Sequence, residues 1–309
     1  MIREKNETGV STLRAAAIGI GSNSLRMLIA DLENAQLHRV LRDREGLRVF
    51  AALDENGDIS EEMIARACAS VSAMATKARN IGAEKIHLFA TSAVRDAHNQ
   101  QAFSERLLQS TGLPLEICTG DTEAQLSFLG ATGSERSGMI DIGGGSTEIV
   151  IGRGERIDFA TSLQMGAVRL YRKMPIRNVE EAFAVVSRAG EILAPQKKEI
   201  LELEPPAEWV GVGGTFTTAA ALAQNVHWNE RSYITGFILR RAEVERILTL
   251  LAPMPLEVRM ALPGIQPQRA DIIAHGMAIL LCCMNELNIP QMIVSESGNL
   301  EGYLKKTYL

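Results

Sequence analysis

Two distant stretches of the chain match each other, and this repeat constrains the fold more than any other feature of the sequence. The segment IGIGSNSLRMLIA, residues 18–30, aligns without gaps with IDIGGGSTEIVIG, residues 140–152. Each consists of an apolar run, a turn of small polar residues and a second apolar run, a pattern typical of two β-strands joined by a tight turn. The repeat therefore predicts two related halves, each containing one such strand pair.

The pattern outside the repeat alternates between strands and helices, which predicts the α/β fold class. In the first half a further strand is expected over residues 36–50 and a helix over 60–81, where apolar residues recur with helical spacing. In the second half the strand pair is expected to be followed by helices near 166–200. Two more helices are expected over about 240–262 and 268–288.

The position of the second repeat suggests where the chain divides. We expect one domain over residues 1–125 and another over 126–309, with a cleft between them and with the last helix, about 298–309, packing back on the first domain. The absence of low-complexity segments and long linkers supports this expectation.

Length and composition narrow the class of protein. With 309 residues, 46% of them hydrophobic, the chain can bury a sizeable core. Its apolar runs are too short to span a bilayer and its polar start lacks the features of a signal peptide, so we expect no membrane association and a cytoplasmic location. The net charge of −5 argues against broad nucleic-acid binding, and four cysteines without metal-binding spacing are expected to be reduced thiols. The sequence is compatible with both a monomer and a homodimer.

Three glycine-rich turns follow apolar strands and are candidates for binding phosphate. They are Gly21–Ser24, Gly143–Ser146 and Gly213–Thr215. Glycine amides without Cβ crowding, together with hydroxyl groups, form nests for anionic oxygens. The alternative is tight packing between strands and helices, which also favours glycine.

Two carboxylates flank the second turn and are candidates for binding a metal. Asp141 precedes the turn at the end of a predicted buried strand, and Glu148 begins the next strand. Magnesium usually reaches a phosphate through one or two carboxylates and several waters. The alternative for Asp141 is to cap the turn amides.

Glu123 and Arg95 are further candidates in the first half. Asp121 is expected to cap the helix whose first turn contains Glu123, so Glu123 either stabilises the helix N-terminus or deprotonates water. Arg95 follows a buried strand and can bind a phosphate through its planar guanidinium. Its alternative is a surface ion pair with Asp96 or Glu105.

A cluster of basic residues in the second half has two interpretations. It can bind a polyanion, or it can form a solvated face, which is the more frequent case for such runs. The cluster consists of Arg169, Arg172, Lys173, Arg177, Lys197 and Lys198.

The motifs GSNS, ATSAVRDA, GDTEA, IDIGGGSTEIVIG, MGAVRL, GVGGTFTTAA and RADIIAHG occur in an order that resembles the exopolyphosphatase and guanosine pentaphosphate phosphohydrolase (Ppx/GppA) family. The resemblance covers about residues 14–305. It implies two ribonuclease H-like domains of the actin/Hsp70/sugar-kinase superfamily. It also implies in-line attack of water on the terminal phosphoryl group of inorganic polyphosphate or guanosine pentaphosphate, with Mg²⁺ or Mn²⁺ as cofactor.

The resemblance also implies a role for individual residues. Glu123 would be the general base, Arg95 would hold a phosphate, and Asp141 and Glu148 would serve the metal. The phosphate-binding residues would be Ser22, Asn23, Ser24, Gly143, Gly144, Gly145, Ser146, Gly213, Gly214 and Thr215.

The chain departs from the family pattern at Gly19, where the family usually has aspartate. The resemblance then implies the loss of one carboxylate near the metal, and Gly19→Asp is expected to tighten Mg²⁺ binding. This departure keeps a second hypothesis open, a weakly active or non-catalytic protein that binds polyphosphate. A kinase or ATPase of the same superfamily is a third alternative.

Overall fold

The computed structural model describes residues 12–309, which form two compact units. The first unit comprises the described residues up to Gly130 together with the C-terminal segment Asn299–Leu309. The second unit is the continuous segment Ala131–Gly298. Each unit contains one mixed β-sheet and several helices, so the predicted α/β class is confirmed.

The first unit is built on a five-stranded sheet in the order β3-β2-β1-β4-β5. Strand β1 is antiparallel to β2 and parallel to β4, and β4 is parallel to β5. The elements are β1 (Leu13–Ile20), β2 (Leu25–Glu33), β3 (Gln36–Glu45), α1 (Glu61–Asn80), β4 (Lys85–Ala90), α2 (Ser92–Arg95), α3 (Gln100–Thr111), β5 (Leu115–Ile117) and α4 (Gly120–Ala131).

The second unit has a six-stranded sheet in the order β10-β11-β9-β6-β7-β8. Its elements are β6 (Arg136–Ile142), β7 (Thr147–Arg153), β8 (Arg156–Leu163), α5 (Ala167–Lys173), α6 (Val179–Glu202), β9 (Glu208–Val212), α7 (Gly214–Gln224), α8 (Arg231–Ile234), β10 (Ile238–Arg240), α9 (Arg241–Leu251), α10 (Leu256–Met260), α11 (Ile273–Glu286) and β11 (Gln291–Ser295). The last helix, α12 (Asn299–Tyr308), belongs to the first unit.

The two sheets have the same topology apart from one edge strand. The order β3-β2-β1-β4-β5 corresponds to β8-β7-β6-β9-β11, with the same antiparallel and parallel neighbours in each. Strand β10 is an addition at the edge of the second sheet. The repeat in the sequence therefore corresponds to the pairs β1-β2 and β6-β7.

The central strands are buried on both faces, which explains their continuous apolar composition. In β1 every side chain from Ala15 to Ile18 is inaccessible to solvent. Helix α12 packs on this sheet, and its Leu300 and Leu304 belong to the same apolar cluster as Ala15 and Leu28. The C-terminal helix thus contributes to the core of the first unit.

Several sequence predictions of secondary structure were wrong in detail. Strand β3 ends at Glu45, and a short 3₁₀ turn with Arg48 at φ 58° follows. The strand pair of the second unit is followed by a third strand, β8, before the helices begin. The expected helix over 240–262 is divided into α9 and α10, because Pro253 and Pro255 interrupt the chain between them. Within residues 12–309, no helix combines the length and apolar character needed to cross a membrane.

Candidate functional site

The first glycine-rich turn joins β1 to β2 and contains buried polar side chains. The Gly21 amide donates to the carbonyl oxygen of Ser24 at 3.0 Å. The side chains of Ser22, Asn23 and Ser24 are all buried, and Asn23 Oδ1 has no hydrogen-bond partner within residues 12–309. Because an unpaired buried polar atom is costly, its presence in this turn is a signal of a polar ligand.

The segment after β3 holds the carbonyl groups of the same turn. The Phe50 amide donates to Ser22 O and the Arg48 amide donates to Asn23 O, each at 3.0 Å. The hydroxyl of Ser22 also lies 2.8 Å from the hydroxyl of Ser92, at the start of α2. The carbonyl oxygens of the turn would repel an anion. Their hydrogen bonds to the two amides hold them toward protein donors.

The second turn repeats this arrangement in the second unit. The Gly143 amide donates to Ser146 O at 3.0 Å, the same bond as in the first turn. The carbonyl oxygens of Gly143 and Gly144 accept hydrogen bonds from the first amides of α5, and Ser146 Oγ is buried without a partner among the described residues. A Cβ at Gly166 would lie 2.2 Å from Gly144 O, so this close approach requires glycine.

The third turn lies between β9 and α7, where Gly213 has φ +97°. A Cβ on Gly213 would come within 2.9 Å of Asp141 Oδ1, so the turn lies directly against this carboxylate. A Cβ on Gly214 would come within 1.9 Å of the Arg269 guanidinium carbon. Asp141 therefore lies next to both glycine-rich turns of the second unit. Arg269 lies over the beginning of α7.

Arg95 and Glu123 form a partly buried ion pair in the first unit. Arg95 Nη1 lies 3.0 Å from Glu123 Oε2 and donates to the carbonyl oxygen of Cys118, also at 3.0 Å. Arg95 Nη2 is buried and has no partner in the described part of the chain. Burial raises the pKa of the Cys118 thiol to about 12, so this thiol is neutral at ordinary pH. The pair thus combines a carboxylate with an unpaired guanidinium donor.

Two expectations about these residues need correction. Arg95 pairs with Glu123, and its distance to Asp96 is longer, 3.8 Å, so the simple surface ion pair does not describe it. Asp121 is not the helix cap, because α4 begins at Gly120 and Thr119 Oγ1 accepts from the Thr122 amide at 3.1 Å. Threonine is a favourable capping residue for the same reason as aspartate.

Asp141, Glu148 and Ser162 form a row across three strands. Asp141 in β6 is directly opposite Glu148 in β7, and Glu148 is opposite Ser162 in β8, so the three side chains share one face of the sheet. Ser162 Oγ donates to Glu148 Oε1 at 2.7 Å. No group of three or more His, Cys, Asp or Glu suited to a metal occurs within residues 12–309. Two hard oxygen ligands on one face fit Mg²⁺, which keeps much of its water.

Gly19 lies in a different environment from the one expected. It occupies the position in β1 that corresponds to Asp141 in β6, yet a Cβ on Gly19 would lie 2.9 Å from Phe89 Cζ and 3.3 Å from Leu300 Cδ2. Both neighbours belong to the apolar cluster beneath α12. Core side chains therefore fill the space next to position 19, and whether an aspartate here would reach a metal stays a prediction.

The basic cluster of the second unit is engaged in local contacts. Arg169 Nε donates to Gly145 O at 2.6 Å, whereas Arg177, just before α6, pairs with Glu181 in the first turn of that helix. Lys197 and Lys198 pair with glutamates at 2.6 and 3.7 Å. These pairs favour a solvated face for most of the cluster, while Arg169 supports the second turn.

Three residues that contact the predicted site were missed in the sequence. They are Arg269, Ser162 and Ser92. The available signal was that Arg269 falls within the motif RADIIAHG and Ser92 within the motif ATSAVRDA.

Comparison with known proteins identifies the family of the chain. The sequence profile of the Ppx/GppA phosphatase family matches residues 28–309. The chain belongs to this family. Its resemblance to the family, proposed from the motifs, is therefore confirmed.

Individual relatives support the same conclusion. The chain is 34% identical over 310 residues to a Mycobacterium tuberculosis protein named exopolyphosphatase 2, covering 94% of this chain and 97% of that protein. It is 30% identical over 299 residues to a Vibrio vulnificus guanosine-5′-triphosphate,3′-diphosphate pyrophosphatase, covering 93% of this chain but 58% of that protein.

A solved structure extends the comparison to the fold. A Ppx/GppA enzyme of Aquifex aeolicus superposes with a TM-score of 0.82 at 27% identity, covering 96% of this chain and 99% of the other. The architecture of the two units is thus that of the family.

Proposed function

We propose that this Ppx/GppA family member hydrolyses the terminal phosphoanhydride bond of linear inorganic polyphosphate. The observation that carries the proposal is the pair formed by Arg95 and Glu123. Glu123 Oε2 lies 3.0 Å from Arg95 Nη1, and Arg95 Nη2 is buried without a partner among residues 12–309. Such a pair can hold a phosphate and accept a proton from water at the same time. A relative that matches this chain over 97% of its own length is named an exopolyphosphatase, which favours polyphosphate over guanosine pentaphosphate.

In this proposal the glycine-rich turns bind phosphate oxygens. Amides of Gly144, Gly145 and Gly213–Thr215, with the hydroxyl groups of Ser146 and of Ser22 and Ser24, would supply donors without a formal charge, while the Gly143 amide closes the second turn. The unpartnered hydroxyl of Ser146 supports this role, because it can donate to a phosphate oxygen, whereas Asn23 Oδ1 is an acceptor and would be satisfied by an ordered water.

Asp141 and Glu148 would hold Mg²⁺ or Mn²⁺. Both are oxygen ligands, Asp141 is 8% exposed and Glu148 is 1% exposed, and Ser162 fixes the orientation of the second. A divalent cation at this position would neutralise the negative charge of the phosphate oxygens.

Glu123 would take the proton from the attacking water, while Arg95 keeps the terminal phosphate in place. The water oxygen forms a bond to the terminal phosphorus, the bridging P–O bond breaks on the opposite side, and the shortened chain leaves with its electron pair. Phosphoryl transfer of this kind depends mainly on positioning and on electrostatic stabilisation, which suits a site made of turns, one arginine and carboxylates.

The test is phosphate release by the purified protein from long-chain polyphosphate, guanosine pentaphosphate and ATP, with Mg²⁺ or Mn²⁺. We expect release from polyphosphate, and we expect Glu123→Gln to lower kcat by roughly 10²–10⁴-fold with binding retained. The matched control is Asp121→Asn, which removes an exposed carboxylate from the same turn of α4 and should leave kcat unchanged. Binding of polyphosphate by the parent without release would favour the non-catalytic alternative, and equal rates for Glu123→Gln and parent would refute the role of Glu123.

A further inference from the structure

The second and third glycine-rich turns follow neighbouring strands, and the sheet fixes only the beginning of each turn. Strands β6 and β9 are parallel neighbours, and their pairing ends where Asp141 lies opposite Val212. The residues further along the turns, Gly144, Gly145 and Thr215, lie beyond the paired strands. Their positions therefore depend on the helices that contact them.

Helix α5 holds the second turn. The amides of Val168 and Arg169 donate to Gly144 O at 2.9 and 3.0 Å. The Arg169 guanidinium donates to Gly145 O at 2.6 Å. All of these donors belong to α5, so a shift of this helix would displace the turn with it.

Helix α11 contacts the third turn. Gly276 lies near the beginning of α11, and a Cβ at this position would come within 2.4 Å of Thr215 Oγ1. Thr215 is itself buried, so the two segments are in close contact. The position of α11 therefore limits the position of Thr215.

His275 joins these two helices. Its Nε2 lies 2.7 Å from the carbonyl oxygen of Met174, the residue at which α5 ends. A carbonyl oxygen only accepts, so Nε2 carries the proton and donates it to this bond. The ring also packs edge-on against Tyr171 of α5, with the centroids 5.4 Å apart. Nδ1 has no partner within residues 12–309, so the directed bond of this ring goes to α5.

The surroundings of His275 favour the neutral imidazole. The side chain is 2% exposed, and burial lowers its pKa. Arg259 lowers this pKa further, whereas the bond to Met174 and the carboxylate of Asp271 raise it. A neutral amide of suitable length can therefore replace the imidazole as the donor to Met174.

We propose that His275 is a positioning residue for phosphate binding: it holds α5 against α11 and so fixes the second glycine-rich turn relative to the third. This inference rests on the proposed function, in which both turns bind phosphate oxygens, and deepens it. A phosphate that contacts both turns needs donors from each at hydrogen-bond distance, and a displaced α5 would move one set away from the other. His275 acts through α5 rather than by touching the phosphate.

The experiment compares two amides at this position, His275→Gln and His275→Asn. Glutamine places its Nε2 about as far from the backbone as the imidazole Nε2, whereas asparagine is one methylene group shorter and does not reach Met174. Both remove the ring, so they differ chiefly in this hydrogen bond. The control is Leu248→Ala, which leaves a cavity at a fully buried position on α9 and lowers stability by another route. Melting temperatures establish that each variant folds.

The measurements are steady-state hydrolysis of long-chain polyphosphate with Mg²⁺ and titration with Mn²⁺ in the absence of substrate. His275→Asn should raise KM at least about threefold and change kcat by less than about twofold, because the turns bind ground state and transition state alike. His275→Gln should keep KM within about twofold of the parent. Mn²⁺ affinity should not change, because Asp141 and Glu148 lie on paired strands. Leu248→Ala should lower the melting temperature and leave KM unchanged.

Three results would overturn the inference. They are a parental KM in His275→Asn, an equal rise of KM in both amide variants, and a comparable rise in Leu248→Ala, which would make the effect one of stability alone. Failure of the proposed function is a separate outcome, in which the parent releases no phosphate. Dissociation constants of the same proteins for long-chain polyphosphate then test the role of His275 by the same comparison.

Discussion

Gly19→Asp would introduce a carboxylate into the core of the first unit. The new Cβ would lie 2.9 and 3.2 Å from two atoms of the Phe89 ring and 3.3 Å from Leu300 Cδ2. Phe89 cannot move freely, because it is fully buried and its ring stacks on Tyr303 with the centroids 4.8 Å apart. Accommodation therefore requires a shift of packed groups, which costs about 1–3 kcal/mol in other protein cores.

The charge adds a second cost. A buried polar group without full hydrogen bonding costs about 1–3 kcal/mol on the mutational scale, and an ionised carboxylate costs at least as much. Arg26 is the cross-strand neighbour of Gly19 and can offset part of this cost, although it already donates to Asn299 at 3.1 Å. The two contributions together predict a loss of about 2–5 kcal/mol in the free energy of unfolding, or about 5–15 °C in melting temperature.

Thermal unfolding of the parent, Gly19→Ala and Gly19→Asp separates these contributions. The alanine variant meets Phe89 without adding a charge, so it should melt between the other two. A melting temperature of Gly19→Asp within about 1 °C of the parent would refute the packing argument. A parallel Mg²⁺ titration should show no tighter binding by the aspartate variant, and tighter binding would show that this position reaches a metal.

Further predictions concern the site and the second unit. Arg95→Lys keeps the charge but loses the planar fork, so KM for polyphosphate should rise about tenfold in steady-state assays, and unchanged kinetics would leave Arg95 with a structural role. Ser162→Ala removes the donor to Glu148 and should weaken Mn²⁺ binding about tenfold in a titration without substrate, whereas equal affinities would contradict a positioning role. Burial lowers the pKa of His275 below its ordinary value of 6.5, so the unfolded chain binds more protons and stability falls as the pH drops below that value. His275→Gln should flatten this decline in melting temperature between about pH 5 and 7, replacement of the exposed His227 should not, and equal slopes in all three proteins would refute the argument.

The sequence predicted those parts of the fold that depend on local patterns. The repeat of residues 18–30 and 140–152 identified the strand pairs that define both sheets, since apolar runs and glycine turns are local signals. Strand β8 was missed because its side chains are only partly buried, so its apolar pattern is weak. The division between α9 and α10 was overlooked despite Pro253 and Pro255, which are the kind of signal that ends a helix.

The sequence suggested candidate site residues but not the contacts between them. Arg95 and Glu123 were selected separately, yet their ion pair joins two helices that are distant in sequence, and no local pattern reports such a contact. Arg269 was missed for the same reason, because only the folded second unit brings it to Gly214. The surroundings of Gly19 could not be predicted, because correspondence within the repeat does not reveal what packs against each copy, and Phe89 lies against this position in the first unit.

The membership of α12 in the first unit has a consequence for how the protein is made. The chain leaves the first unit after Gly130, completes Ala131–Gly298 as one continuous segment and only then returns. During synthesis on the ribosome, the second unit can therefore fold while the first still lacks its last helix. Until Leu300 and Leu304 emerge from the exit tunnel, the apolar face of β1 and β2 stays uncovered. The unit that is translated first is thus the last to complete its fold. A chaperone would be needed while its sheet is still exposed.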